Sequence, residues 1–158
     1  MTLTIGGVPA HPLVVHLAAV SVPLAALMCL AWVLFPARLT PSWRVATLGT
    51  TVVGAVSIML ARWTGEDLLA PLGLSESALG VVARHAQYAT FSAVAALGLL
   101  AAAALFFAAG TERFAGRVPA PAVPVVRGGV AVAAVAALVS VVLVGHAGAQ
   151  LAWADFPR

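Results

Sequence analysis

The residues of this chain that are best suited to chemistry are its four histidines: His11, His16, His85 and His146. The first two open the first long apolar segment, His85 falls near the start of the third, and His146 lies about two turns before the end of the fourth. If successive helices alternate in direction, all four imidazoles lie near the same end of a bundle. Ionisable groups at membrane depth usually face the bundle interior. There they could bind a haem iron or another metal, or donate hydrogen bonds between helices.

The spacing of the histidines favours a pair on two different helices. His11 and His16 are separated by about 140° around a helix, so they do not share a face. Helices one and three of an up-down bundle lie on a diagonal of roughly 11–14 Å. Two imidazoles on opposite sides of one iron need a backbone separation of about that size, given metal–nitrogen bonds of about 2 Å. We therefore expect His16 and His85 to be the axial ligands of a b-type haem, and His11, next to Pro12, to be interfacial.

Other residues near the same end could complete a haem site. His146 could replace one axial ligand or bind a propionate. Arg84 is expected to pair with a propionate; Arg62 could do the same, although snorkelling to the interface is the commoner role of such an arginine. The small residues around His146 would leave room for a flat macrocycle, and they would serve plain helix packing equally well: Gly145, Ala147, Gly148 and Ala149.

Two alternatives to haem stay open. His16, His85 and His146, together with Glu66 or Asp67, would form a three-histidine, one-carboxylate set suited to zinc, copper or iron. Alternatively, each histidine satisfies a nearby carbonyl, and the chain is a cofactor-free membrane subunit that binds partner helices. No compact metal motif such as HExxH and no nucleophile–base arrangement occurs in the sequence, so no catalytic residue is assigned and we do not expect an enzyme on its own.

The composition defines the elements that must position these side chains. The chain has 158 residues, of which 63% are apolar and 8% charged, and its mean hydropathy is +1.09. These values exclude a soluble enzyme, a disordered chain and a disulfide scaffold. At about 20 residues per crossing there is room for four membrane helices. We predict an all-α fold: one integral-membrane, up-down four-helix bundle over residues 1–158, with helices at about 12–35, 45–63, 79–109 and 128–153.

The arginines predict the orientation of the bundle. Five lie near the two predicted hairpin tips and three near the opposite ends: Arg38, Arg44, Arg113, Arg117 and Arg127 against Arg62, Arg84 and Arg158. The positive-inside rule then places both tips in the cytoplasm and both termini outside. The basic residues are scattered singly, which argues against nucleic acid as a partner. The expected partners are the lipid bilayer and a redox protein in the membrane or outside it.

A short match between the two halves raises the question of a repeat. Trp63–Leu68 and His146–Leu151 share Gly and Leu at the same offsets, and each segment follows a helix that carries an early histidine. Duplication of a helical hairpin is one interpretation of this match.

Three segments together resemble a known family. They are the opening Ala10–His16 (AHPLVVH), Thr64-Gly65 at the end of helix two, and Val144–Leu151 (VGHAGAQL). With His85 at the start of helix three, they resemble the bacterial membrane domain-of-unknown-function family 2231. The chain departs from that pattern at Leu17-Ala18, Val144, Ala149 and Trp153. The resemblance implies a multi-pass protein of the bacterial cytoplasmic (inner) membrane, with an architecture similar to that of small haem-b membrane cytochromes.

Overall fold

Four long helices make up most of the fold. In the computed structural model, which describes residues 3–77, 80–111, 117, 119 and 121–154, they are α1 (Ala10–Leu34), α2 (Pro41–Leu69), α3 (Val81–Ala109) and α4 (Ala122–Ala152). Each is long enough and apolar enough to cross a membrane. The prediction of four long apolar helices is confirmed.

Two of the helices extend well beyond their predicted bounds. Helix α2 begins at Pro41, after an N-cap at Thr40 whose side chain accepts a hydrogen bond from the Trp43 amide (3.3 Å). Helix α4 begins at Ala122 and contains Pro124 in its first turn, where a missing N–H removes no helical hydrogen bond. Prolines therefore lie in the first turn of both helices, where the sequence analysis predicts loops. Position 79, the predicted start of helix three, lies outside the described residues.

A small hairpin precedes the bundle, and the sequence analysis did not predict it. Strands β1 (Thr4–Ile5) and β2 (Val8–Pro9) pair antiparallel. The two residues between them, Gly6 and Gly7, have φ values of 58° and 80°. Two consecutive positive φ values are what the tight turn of a two-residue hairpin requires, and glycine adopts them at no steric cost. The Gly-Gly pair was the available signal.

The helices form a four-membered ring in cross-section. Helix α1 packs on α2 and α4, and α3 packs on the same two, so α1 and α3 are diagonal. The interior is built from small side chains, including the fully buried Ala26, Ala103 and Ala134, whereas large aliphatic residues such as Val132 and Val142 face outward. Small residues inside and large apolar residues outside are typical of helix bundles in lipid.

The two hairpins of the bundle bury equivalent positions. Counted from Gly148, every buried residue of α4 has a buried counterpart at the same distance from Gly65 in α2. The counterparts in α2 and α4 are Thr47 and Val130, Thr51 and Ala134, Gly54 and Ala137, Ser57 and Ser140, and Thr64 and Ala147. Counted from His11 and His85, α1 and α3 share buried positions in the same way, for example Val22 with Ala96 and Cys29 with Ala103. The two halves therefore have similar, though not identical, patterns of buried positions.

Close packing of small residues leads to a prediction at Ala103, which is fully buried, while Ala104 beside it is exposed. Ala103→Leu inserts a large side chain between helices, and we expect it to lower the free energy of unfolding by about 1–3 kcal/mol. Ala104→Leu on the outer face should change it by less than about 0.5 kcal/mol. Unfolding of the purified protein in detergent, followed by circular dichroism, measures both. Equal destabilisation by the two substitutions would contradict this packing.

Candidate functional site

A large apolar cavity opens at the end of the bundle where α1 and α3 begin. Its volume is about 760 Å³, and all four helices contribute to its wall, together with the connection between α2 and α3. Most lining residues are alanine, glycine, valine or leucine; the polar exceptions are His11, His16, His85, Arg62 and Glu76. Cavities of about 300–1,000 Å³ with apolar walls and a few polar groups are typical sites for cofactors and small ligands.

His11 lines this cavity and is tied to the neighbouring helix. Its Nδ1 lies 3.0 Å from the carbonyl oxygen of Ala61 and 3.4 Å from Oγ1 of Thr64, both on α2. The Thr64 hydroxyl donates its own proton to the Leu60 carbonyl (2.7 Å). A carbonyl oxygen can only accept, so Nδ1 carries the proton and Nε2 keeps its lone pair. The fixed tautomer leaves Nε2 as the ring's free ligand atom.

His85 repeats this arrangement on the other hairpin. Its Nδ1 donates to the carbonyl oxygen of Val144 on α4 at 3.1 Å. The same reasoning makes Nδ1 the protonated nitrogen and Nε2 the free one. Both rings are half-buried, and both line the cavity. Two imidazoles with equivalent tautomers thus face one apolar space from diagonal helices.

A glycine lies against each of the two imidazoles. A Cβ added to Gly65 would be 3.0 Å from Cε1 of His11, and one added to Gly148 would be 3.1 Å from Cε1 of His85. Each glycine lies four residues after the residue whose carbonyl accepts the hydrogen bond. Helical side chains tilt toward the N-terminus, so the residue four positions on covers that carbonyl. Glycine leaves the carbonyl open to the imidazole. We call these two sites the histidine–glycine contacts.

The structure assigns the remaining two histidines different places. His16 lines the cavity but is exposed, and its Nδ1 donates to the Pro12 carbonyl within its own helix. His146 is exposed, does not line the cavity, and lies 3.2 Å from the side chain of Gln150 on the same helix. The reason is rotation: Val144 and Gly148 face the cavity, and His146 is two residues from both, about 200° around the helix. His11, expected at the interface, takes the place on α1 that the sequence analysis assigns to His16.

The two arginines near this end also differ from expectation. Arg62 lines the cavity, and its guanidinium bonds both carboxylate oxygens of Glu76 (2.7 and 3.0 Å) and one of Glu66 (2.8 Å). Its Nε donates to the Thr90 hydroxyl on α3 (3.2 Å). Arg84 is exposed and is not among the lining residues, because it is one residue, about 100°, from the inward-facing His85.

The residues predicted for a bare metal ion do not come together in the described part of the chain. Glu66 pairs with Arg62, and His146 faces away from His16 and His85. Among residues 3–77, 80–111, 117, 119 and 121–154, no group of three or more His, Cys, Asp or Glu side chains is close enough to hold a metal ion. These residues therefore offer two histidines on the cavity wall, with a third, His16, at its exposed edge.

Sequence reasoning missed His11 and the two glycines that contact the histidines. The available signal was the match between the halves, since Gly65 and Gly148 occupy equal offsets and an early histidine begins each preceding helix. Applied to both hairpins, that match would have paired His11 with Gly65 and His85 with Gly148.

The histidine–glycine contacts give a prediction with a control on the same helix. A Cβ at Gly148 would press on the His85 ring, whereas a Cβ at Gly145 meets nothing within 4 Å. We expect Gly148→Ala to shift the imidazole resonances of His85 and to leave the protein less stable than Gly145→Ala does, since the latter gains up to about 1 kcal/mol of helix propensity. Nuclear magnetic resonance of labelled histidine and thermal unfolding measure the two effects. Identical behaviour of the two variants would show that the glycine is not needed.

Comparison of the chain with protein-family models, curated proteins and solved structures found no match. The likeness of its motifs to family 2231 therefore stays a prediction. The function of the chain has to be argued from the chemistry of the cavity itself.

Proposed function

We propose that the chain is a multi-pass protein of the bacterial cytoplasmic membrane that binds one b-type haem in the cavity between its helices and exchanges electrons near the outer face. One observation carries this proposal: His11 and His85, on diagonal helices, line one apolar cavity with Nδ1 bonded to a carbonyl and Nε2 free. A ring nitrogen held on a carbonyl fixes the orientation of a ligating imidazole and raises its basicity.

The fit of a haem to this cavity is supported by three properties of the wall. The two imidazoles come from diagonal helices and line the same cavity, so both could hold one iron between them. The volume of about 760 Å³ is in the range of cofactor pockets. The apolar lining would shield a macrocycle from water. When bound, the haem would supply one-electron chemistry, while His11 and His85 would hold it and the helices would set its electrostatic surroundings.

The orientation in the membrane follows from the arginines near the opposite end. Arg38 lies between α1 and α2, Arg44 in the first turn of α2, and Arg127 near the start of α4, all away from the cavity. The positive-inside rule places these positions in the cytoplasm and the cavity toward the outer face. Arg113 and Arg158, which belong to the same count, lie outside the described residues. The electron partner would then be a membrane or extracytoplasmic protein.

A second candidate function is that of a cofactor-free subunit. The observation that favours it is that His11 and His85 each already donate a hydrogen bond to a neighbouring helix, as interhelical packing alone would require. In this account the free Nε2 atoms have no ligand, and the outer helix faces bind partner helices. The two candidates differ in whether the purified protein carries a chromophore.

Absorption spectra of single histidine variants test the haem proposal. The protein, expressed with ample haem and purified in mild detergent, should show a Soret band that shifts on reduction with dithionite. His11→Gln and His85→Gln should each abolish the low-spin spectrum because one axial nitrogen is lost. His146→Gln is the matched control on α4, and His16→Gln the control on α1; both should keep the spectrum.

Two results would contradict the proposal in different ways. Colourless wild-type protein, with His11→Gln and His85→Gln both tolerated, would favour the cofactor-free subunit. A spectrum that survives His11→Gln and is lost in His16→Gln would restore the pair expected from the sequence and reject the pair His11 and His85 that we propose.

A further inference from the structure

One charged group on the cavity wall is not explained by two axial ligands. Arg62 is the one arginine among the described residues that line the cavity. Apart from Arg62, Glu76 and the three histidines, the cavity wall is apolar. The side chain of Arg62 is only 20% exposed, so its guanidinium is not simply extended into water. Helix packing alone does not require a cation at this place, because the equivalent position on α4 is Gly145.

Arg62 has two carboxylate partners: Glu66, one turn further along α2, forms a single contact, and Glu76, in the connection between α2 and α3, forms two. Glu76 lies in this connection and lines the cavity together with Leu72 and Leu74. Its carboxylate forms a bidentate pair with the Arg62 guanidinium, the geometry in which arginine recognises carboxylates most strongly. A carboxylate therefore already pairs with the one arginine that lines the cavity among the described residues.

On the basis of the haem function proposed above, we propose that Arg62 binds a propionate carboxylate of the porphyrin and that Glu76 gives up the guanidinium to it. The exchange replaces one carboxylate by another, so the partly buried cation is never left without a counter-charge. Glu76 lies on a connection between helices and is freed to water. The Thr90 hydroxyl accepts a hydrogen bond from Nε of Arg62 and so restrains the guanidinium from α3.

We therefore expect the protein to recognise the porphyrin through its propionate carboxylates as well as through its iron. A titration of ferric protoporphyrin IX and of its dimethyl ester into the apoprotein in detergent separates the two contributions, because the ester lacks carboxylates. Arg62→Gln should weaken binding of the acid by about tenfold or more, as loss of a hydrogen bond to a charged group does. Binding of the ester should stay within about twofold of wild type, since no charge pair is lost.

Two variants make the titration specific to this arginine. Arg84→Gln removes an arginine near the same end that does not line the cavity, and it should leave binding of both porphyrins unchanged. Arg62→Lys keeps the charge without the planar fork and should recover part of the lost affinity for the acid. Circular dichroism and the elution profile show whether each variant folds.

Glu76→Gln tests the exchange from the other side. Removing the competing carboxylate should strengthen binding of the acid severalfold and leave binding of the ester unchanged, since only the acid competes with Glu76 for the guanidinium. This variant also decides the matter if Arg62→Gln does not fold. An unchanged or weakened affinity for the acid in Glu76→Gln would then overturn the proposal.

The remaining outcomes separate this inference from the haem proposal. If Arg62→Gln lowers the affinities for acid and ester alike, or lowers neither, Arg62 does not recognise propionate and this inference fails while the haem site stands. If Arg84→Gln shows the selective loss instead, the arginine assignment is wrong. If the wild-type protein binds neither porphyrin, the haem proposal fails and this inference fails with it.

Discussion

The hydrogen bond from an imidazole to the backbone carbonyl of a neighbouring helix is the interaction on which the site depends. It occurs twice, from His11 to Ala61 and from His85 to Val144. A helical carbonyl already accepts one bond from the amide four residues on, and its second lone pair is normally covered by that residue's side chain. Gly65 and Gly148 uncover it. The same bond joins two helices, fixes the imidazole tautomer and leaves Nε2 for a ligand.

The two hairpins bury similar positions, and each places one such histidine on the cavity wall. They differ in other residues near the cavity. Arg62 on α2 corresponds to Gly145 on α4, and Glu66 corresponds to Ala149. One side of the cavity mouth is therefore charged and the other is small and apolar. A ligand with a polar edge would enter in one orientation, with that edge toward α2 and the connection that follows it.

Much of the architecture could be predicted from the sequence, because the length and continuity of each apolar run indicate a membrane-spanning helix. The four helices and the diagonal placement of α1 and α3 followed from run length and from short connections. Helix ends were less predictable, since Pro41 and Pro124 open helices although prolines also mark loops. Strands β1 and β2 were not predicted, because two residues in each strand are too few to show the alternation of polar and apolar side chains that marks a strand.

The site was only partly predictable, because the direction in which a side chain points around its helix decides whether it lines the cavity. One residue changes the direction of a side chain by about 100°, which separates the inward His85 from the exposed Arg84. His146 lies on the helix that carries Val144 and Gly148 but on its opposite side. The position of His11 beside Pro12 predicts an interfacial side chain. Its contact with Ala61 depends instead on how α1 packs on α2, and the spacing of residues within one segment does not determine that packing.

In the function that we propose, Nε2 of His11 and Nε2 of His85 would hold the iron of one haem. Pulsed electron paramagnetic resonance of the ferric protein, with histidine labelled with nitrogen-15, tests this claim most directly. We predict a low-spin signal coupled to two equivalent imidazole nitrogens. A high-spin signal, or coupling to a single imidazole, would contradict the claim.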